Sequence, residues 1–157
     1  MAYLDIIPLA DAKIYLRIDD TLTEDDAQIT RMIKSALSYV ENETRHILYA
    51  RNKDYRLIDG CVRIYDYPFN SYVTPDEADY SEVENKTLHT NYTYGSSNGL
   101  ITLNVGYTDV ADIPTELIDI AYEIIDIYYY GKESGKTTAD LSQLNKDALN
   151  QYKRYIL

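Results

Sequence analysis

The sequence predicts an α+β fold, mainly α: a small helical bundle with a small antiparallel β-sheet inserted in its middle. Three observations carry this expectation. Residues 23–46 and 112–130 repeat apolar side chains every three or four positions, the period of a helix with one buried face. Residues 51–107 replace that period by alternation between turn residues, the pattern of short strands. From 137 the helical period returns. The bundle thus has two long helices, a short N-terminal helix and a C-terminal helix. With 157 residues the chain is read as one domain, able to bury roughly 70% of the surface its unfolded form exposes.

Taken in order, Ile7-Pro8 opens a short helix from Leu9 to about Ile18, with Leu9, Ala12 and Leu16 inward. Asp19-Asp20-Thr21-Leu22 breaks it. Thr23 caps the first long helix, and Glu24, Asp25 and Asp26 fill its first turn, where carboxylates meet the positive end of the helix dipole. Ile29, Met32, Ile33, Ala36, Leu37, Val40 and Ile47 mark its buried side, and residues 1–50 form the helical start of the domain.

In the middle, Asp59-Gly60 between two alternating runs predicts a tight hairpin. Pro68 ends a strand, Ser71-Tyr72-Val73 begins another, and Leu100 to Val105 is the clearest strand of all. Thr74 to Lys86 reads as an acidic loop. The expected sheet has three to five strands.

Pro114 suits the first turn of the second long helix, where a missing N–H costs nothing. Leu117, Ala121, Ile124 and Tyr128, widened by Ile118, Ile120, Ile125 and Ile127, make most of its circumference apolar. Asp112, Glu116, Asp119, Glu123 and Asp126 share the remaining edge, with no Lys or Arg between them. Gly131 to Lys136 is read as a flexible break. The segment 137–157 then carries Leu141, Leu144, Ala148, Leu149, Tyr152 and Ile156 on one stripe.

The composition narrows the function classes. A formal charge of −11 argues against a protein that grips nucleic acid by its phosphates. It suits a basic partner, or a protein that must not stick to DNA. The charge is uneven: residues 132–157 hold five Lys/Arg against three acids. Eighteen tyrosines, with one Phe and no Trp, supply rings with polar tips, suited to surfaces that are covered at one time and wet at another. Cys61 is the only cysteine, so no intrachain disulfide forms. No basic-then-apolar leader and no run of 18 apolar residues is present, so neither a signal peptide nor a spanning helix is expected.

Sites of chemistry are weakly supported. Asp19, Asp20, Glu24, Asp25 and Asp26 lack the spacing of a calcium loop and read as a solvated linker before a helix. His46 and His89 would need Cys61 or carboxylates to hold zinc, and no spacing motif joins them. Ser134-Gly135-Lys136-Thr137 resembles the end of a phosphate-binding loop, but Gly131 stands four positions before Gly135 instead of five, and a helix precedes it where a strand should. No catalytic residue, metal or cofactor is expected. A hydrolase using paired carboxylates and an acidic DNA-mimic or inhibitor remain as alternatives.

The order of elements resembles the head–tail connector (adaptor, or head-completion) proteins of tailed bacteriophages. Pro8-Leu9-Ala10-Asp11-Ala12-Lys13-Ile14-Tyr15-Leu16-Arg17 is similar to that family's first helix, followed as there by an acidic linker and a long helix. Val62 to Val73, around Pro68, resembles its strand, proline and second strand. Leu100 to Tyr107, then Ile113-Pro114 and a helix ending in Tyr128-Tyr129-Tyr130, resembles its last strand and core helix. Val105-Gly106-Tyr107 departs from the family's Ala-Gly, and the 74–86 insertion is long.

The resemblance implies a non-enzymatic virion protein, made in the bacterial host cytoplasm and placed at the capsid vertex or neck. It implies a homo-oligomeric ring, of twelve copies by the resemblance, that binds the portal protein, offers a platform to a downstream neck or tail protein and extends the DNA channel. DNA would pass without specific binding, and no membrane is involved; another neck or tail ring protein is the related alternative. On charge spacing, Glu116, Asp119, Glu123 and Asp126 are candidates for a channel-facing edge, repelling the duplex over a screening length of ~8–10 Å. The other reading of that edge is a solvated helix face. Tyr128, Tyr129, Tyr130, Leu141, Leu144, Leu149, Tyr152 and Ile156 are candidates for a partner interface.

Overall fold

Pro8, with extended backbone, stands before a helix that its own ring prevents from starting earlier, and the first elements follow from such local signals. The computed structural model describes residues 2–58, 61–74, 80–85, 90–95 and 99–154. They fall in two compact units, Met1–Thr44 with Asp109–Lys153, and Arg45–Thr108 with Arg154–Leu157.

The first unit is helical: α1 (Tyr3–Ile6), α2 (Leu9–Tyr15), α3 (Asp26–Thr44), α4 (Thr115–Ser134) and α5 (Gln143–Tyr152). The apolar periods of α3 and α4 face each other. Ile29, Ile33, Ala36, Leu37 and Val40 of α3 and Leu117, Ile120, Ala121, Ile124 and Ile125 of α4 are all fully buried, each large side chain contributing about 1.5–3 kcal/mol. α2 adds Ala12 and Leu16 to this core, and α5 packs on both long helices.

Several boundaries differ from expectation: α2 ends at Tyr15 and not near Ile18, and α4 begins at Thr115 and not at 112. α3 begins at Asp26, because the carbonyl of Asp25 is the first to accept a helical bond, from the Ile29 N–H at 2.8 Å. It ends at Thr44, since Arg45 takes a left-handed φ of 63°. α4 runs through Gly131 to Ser134 and stops at Gly135, whose φ of 71° is the usual helix-ending conformation. Gly131 is therefore helical, and a Cβ there would meet the Lys136 carbonyl oxygen at 2.8 Å. The expected break thus starts four residues later. After it, Thr137 opens a 3-10 turn over Thr138–Asp140, and Ser142 caps α5 by accepting from the Asn145 N–H at 3.3 Å.

The second unit holds β1 (Arg51–Leu57), β2 (Cys61–Ile64), β3 (Phe69–Thr74), β4 (Tyr80–Asn85), β5 (Thr90–Gly95) and β6 (Gly99–Val105). They form two antiparallel three-stranded sheets, ordered β1-β6-β3 and β2-β5-β4. Two expectations need correction. Asp59-Gly60 lies outside the described residues; the runs flanking it are strands, and among the described residues they form no ladder with each other: β1 pairs with β6, Tyr55 opposite Ile101, and β2 pairs with β5, Ile64 opposite Asn91. The acidic loop expected over 74–86 contains β4, paired along its length with β5. Local turn chemistry pointed to neighbours in sequence, whereas the apolar face of β6 selected its partners.

That face is Ile101, Leu103 and Val105, joined in a core by Ile47, Val62 and Ile64, with Tyr55, Phe69 and Tyr72 against it. The opposite face is polar and cross-linked by side chains. Thr102 donates to Asp54 at 2.7 Å, Asn104 to Asn52 at 2.8 Å, and Asn70 to Asn104 at 2.9 Å. Gly106 follows at φ 112°, and a Cβ there would collide with the Tyr49 carbonyl, so this position accepts little else.

Candidate functional site

The acidic edge of α4 is partly taken up by its own unit. Glu123 accepts from the Ser142 N–H at 2.7 Å, the Ser142 hydroxyl at 2.9 Å and the Asn145 amide at 2.6 Å. It thereby holds the start of α5. Glu116 is exposed and accepts from the Tyr152 hydroxyl at 3.3 Å. Asp112 lies in a 3-10 turn ahead of the helix. Asp119 is exposed and Asp126 half-buried, and among the described residues neither forms a hydrogen bond or ion pair. Beside them the ring of the exposed Tyr15 packs at a tilt against that of Tyr122, centroids 4.9 Å apart. Burial, and then the charges of Asp126, Glu123 and Asp119, push the Tyr15 phenol up.

The expected partner residues divide in the same way. Leu141 and Leu149 are buried within their own unit, and Leu144 is 79% exposed. Ile156 lies outside the described residues. Tyr129 donates to the Asp25 carboxylate at 2.7 Å, and Tyr130 to the Leu16 carbonyl at 2.8 Å. Tyr128 faces elsewhere: it lines two open grooves, one with Ile127, Gly131 and Lys136, the other with Tyr3, Arg31, Lys34 and Tyr39.

Sequence reasoning missed Lys13. It sits between Ala12 and Leu16 on the inner side of α2 and is only 3% exposed. Its ammonium donates to the Leu22 carbonyl at 2.6 Å, to Asp26 at 3.0 Å and to the Asp20 carbonyl at 3.1 Å. All three protons of the charge are used, which is what makes a buried Lys tolerable. The acidic linker is therefore a built loop rather than a loose one. Arg17 completes it with a left-handed φ of 58°, where the Ile18 N–H bonds the Lys13 carbonyl at 2.9 Å. The signal was present, as a lysine at an inward position of an amphipathic helix.

The second unit contains its own polar cluster. His46 Nδ1 lies 2.8 Å from the Tyr107 hydroxyl, and the Arg154 guanidinium sits 4.9 Å over the Tyr67 ring. Burial, helped by the charge of Arg154, lowers the His46 pKa to about 4, so the ring is neutral at pH 7. Nearby, buried Asp66 accepts from Lys53 and from Tyr55, whose phenol is pushed up by burial and then by Asp66. His89 lies outside the described residues, and among those described no three His, Cys, Asp or Glu side chains are grouped to hold a metal ion. Nor is any described helix long and apolar enough to cross a membrane.

This arrangement is one of open grooves and a hydrogen-bonded loop. The model of the phage gp6-like head-tail connector proteins matches residues 6–156, nearly the whole chain. The chain belongs to that family. It is a structural protein of the virion neck, and the family is not one of enzymes. Among solved structures the connector is similar to a chain of the neck of an empty gene transfer agent particle computed with C6 symmetry. That match has a TM-score of 0.75 at 14% identity, covering 98% of this chain and 92% of the other. A chain of the virion of a native gene transfer agent particle matches with a TM-score of 0.74, the same identity and the same coverage. At that identity the likeness is one of fold. No curated protein sequence matches the connector at a significant level.

Proposed function

We propose that copies of this connector form a closed ring below the portal, extend the DNA channel and present a platform to the next neck or tail component. Family membership over residues 6–156 carries this reading. The C6 symmetry of the neck that contains a chain of the same fold supports a ring. Within it, the α4 edge faces the lumen through Glu116, Asp119 and Asp126, with Glu123 behind them holding α5. Carboxylates there keep the passing duplex from adhering, since like charges repel within a screening length. Leu144, exposed on α5, and Tyr152 belong to the platform.

A reconstruction of the neck in intact particles tests this. The expected result is a ring of this chain between portal and tail, with Asp119 toward the DNA. A position elsewhere in the particle would overturn the reading, and a ring with Asp119 turned outward would remove the lumen assignment alone.

A further inference from the structure

A chain of charge −11 repels its own copies, and a self-contact that pairs unlike charges offsets that repulsion. The helical unit offers two surfaces that match. One is the α2–α3 loop, residues 19–25. It carries Asp19, Asp20, Glu24 and Asp25, all exposed, around Leu22, which is 56% exposed. An exposed leucine on an acidic loop would normally belong to a mobile segment. Here the backbone is fixed from beneath by Lys13 and internally by Asp19, which accepts from the Thr21 N–H at 2.9 Å and its hydroxyl at 2.6 Å. Tyr129 grips Asp25, and Tyr130 holds the Leu16 carbonyl where the loop begins. Rigidity of this kind lowers the entropy lost on binding.

The other surface is the pair of grooves that share Tyr128. Their volumes are about 430 and 540 Å³, room for several side chains. They present Arg31, Lys34 and Lys136 with the rings of Tyr3, Tyr39 and Tyr128, and among the described residues no carboxylate lines either one. Arg31 and Lys34 form no ion pair among those residues. Successive residues of a helix point about 100° apart. Tyr128 on the groove side and Tyr129 and Tyr130 on the loop side therefore place the two surfaces on different flanks of α4.

We propose that the acidic loop of one copy, led by Leu22, seats in the Tyr128 grooves of the next. Two unlike patches on different flanks make a head-to-tail contact, the type that closes into rings. The tyrosine rings receive Leu22, and Arg31, Lys34 and Lys136 receive the flanking carboxylates. Tyr129, Tyr130 and Lys13 are positioning residues that act through the loop. This inference rests on the ring reading and names its contact.

Leu22→Cys with Ser35→Cys, the serine that lines the second groove beside Lys34, oxidised in assembled particles, tests it. The expected result is a ladder of covalent self-oligomers that is absent from either single variant. Assembled necks without a ladder, or an adduct with a different neck protein, would overturn the contact while leaving the ring. Absence of the chain from the neck would instead overturn the ring reading. Charge reversal covers the case in which the cysteines impair assembly. Arg31→Glu with Lys34→Glu should reduce incorporation by more than about tenfold, and adding Asp20→Lys and Glu24→Lys should restore it. Unreduced incorporation, or no restoration in a four-fold variant that folds, would count against the proposal.

Discussion

The two units bury charge for opposite ends. In the helical unit, Lys13 is buried so that something else can stay outside: its ammonium binds two carbonyls of an exposed loop and the Asp26 carboxylate where α3 begins. In the β unit, Asp66 is buried to tie the sheet to itself, through Lys53 and Tyr55, and His46 is buried neutral against Tyr107. A buried polar group is costly unless satisfied. The difference lies in what the satisfaction secures, a surface in one unit and a core in the other.

Four tests sharpen or break this contrast, from the largest effect to the smallest. Ile124→Ala and Leu103→Ala each remove a fully buried side chain and should cost about 2–5 kcal/mol in urea unfolding. If the units unfold separately, each change will shift a different transition; a shared transition would mean that they are stable only together.

The second test concerns His46, whose folded pKa lies below the unfolded value, so the unfolded chain binds more protons in acid. Its contribution is present above pH 6.5 and is lost as pH falls toward 4. His46→Gln should remove about 3 kcal/mol of the acid destabilisation between pH 7 and 4. Parallel pH profiles for the two proteins would show that His46 does not belong to the core as described.

Third, Lys13→Met keeps the buried stem and removes the charge. It should cost about 1.5–3 kcal/mol and, more tellingly, speed hydrogen exchange across residues 19–25 while α3 and α4 stay protected. Unchanged exchange would mean that the loop does not need Lys13. Last, Glu123→Gln should cost about 1 kcal/mol, with the loss confined to the amides of α5; a spread through α3 would make α5 part of the core.

Most of the helical unit was legible in the sequence, because Ile33, Leu37, Leu117 and Ile124 repeat at a period that only a buried helix face explains. The role of the α2–α3 acids was not. Charge spacing shows that carboxylates are close, but not that a lysine thirteen residues before Asp26 reaches under them. Pairing in the β unit was illegible for a different reason. Asp59-Gly60 is a signal between neighbours in sequence, whereas the choice of β6 as partner of both β1 and β3 depends on a nonlocal apolar face. At the candidate site, the run of α4 carboxylates was legible but its division of labour was hidden. Glu123 differs from Asp119 only through Ser142 and Asn145, nineteen and twenty-two residues away.

The contrast between a charge buried for a surface and one buried for a core is decided most directly in the assembled neck. A reconstruction at side-chain resolution should show residues 19–25 of each copy against Arg31, Lys34 and Tyr128 of the next, with Lys13 still beneath the loop. A ring in which that loop meets only solvent, or only DNA, would contradict it.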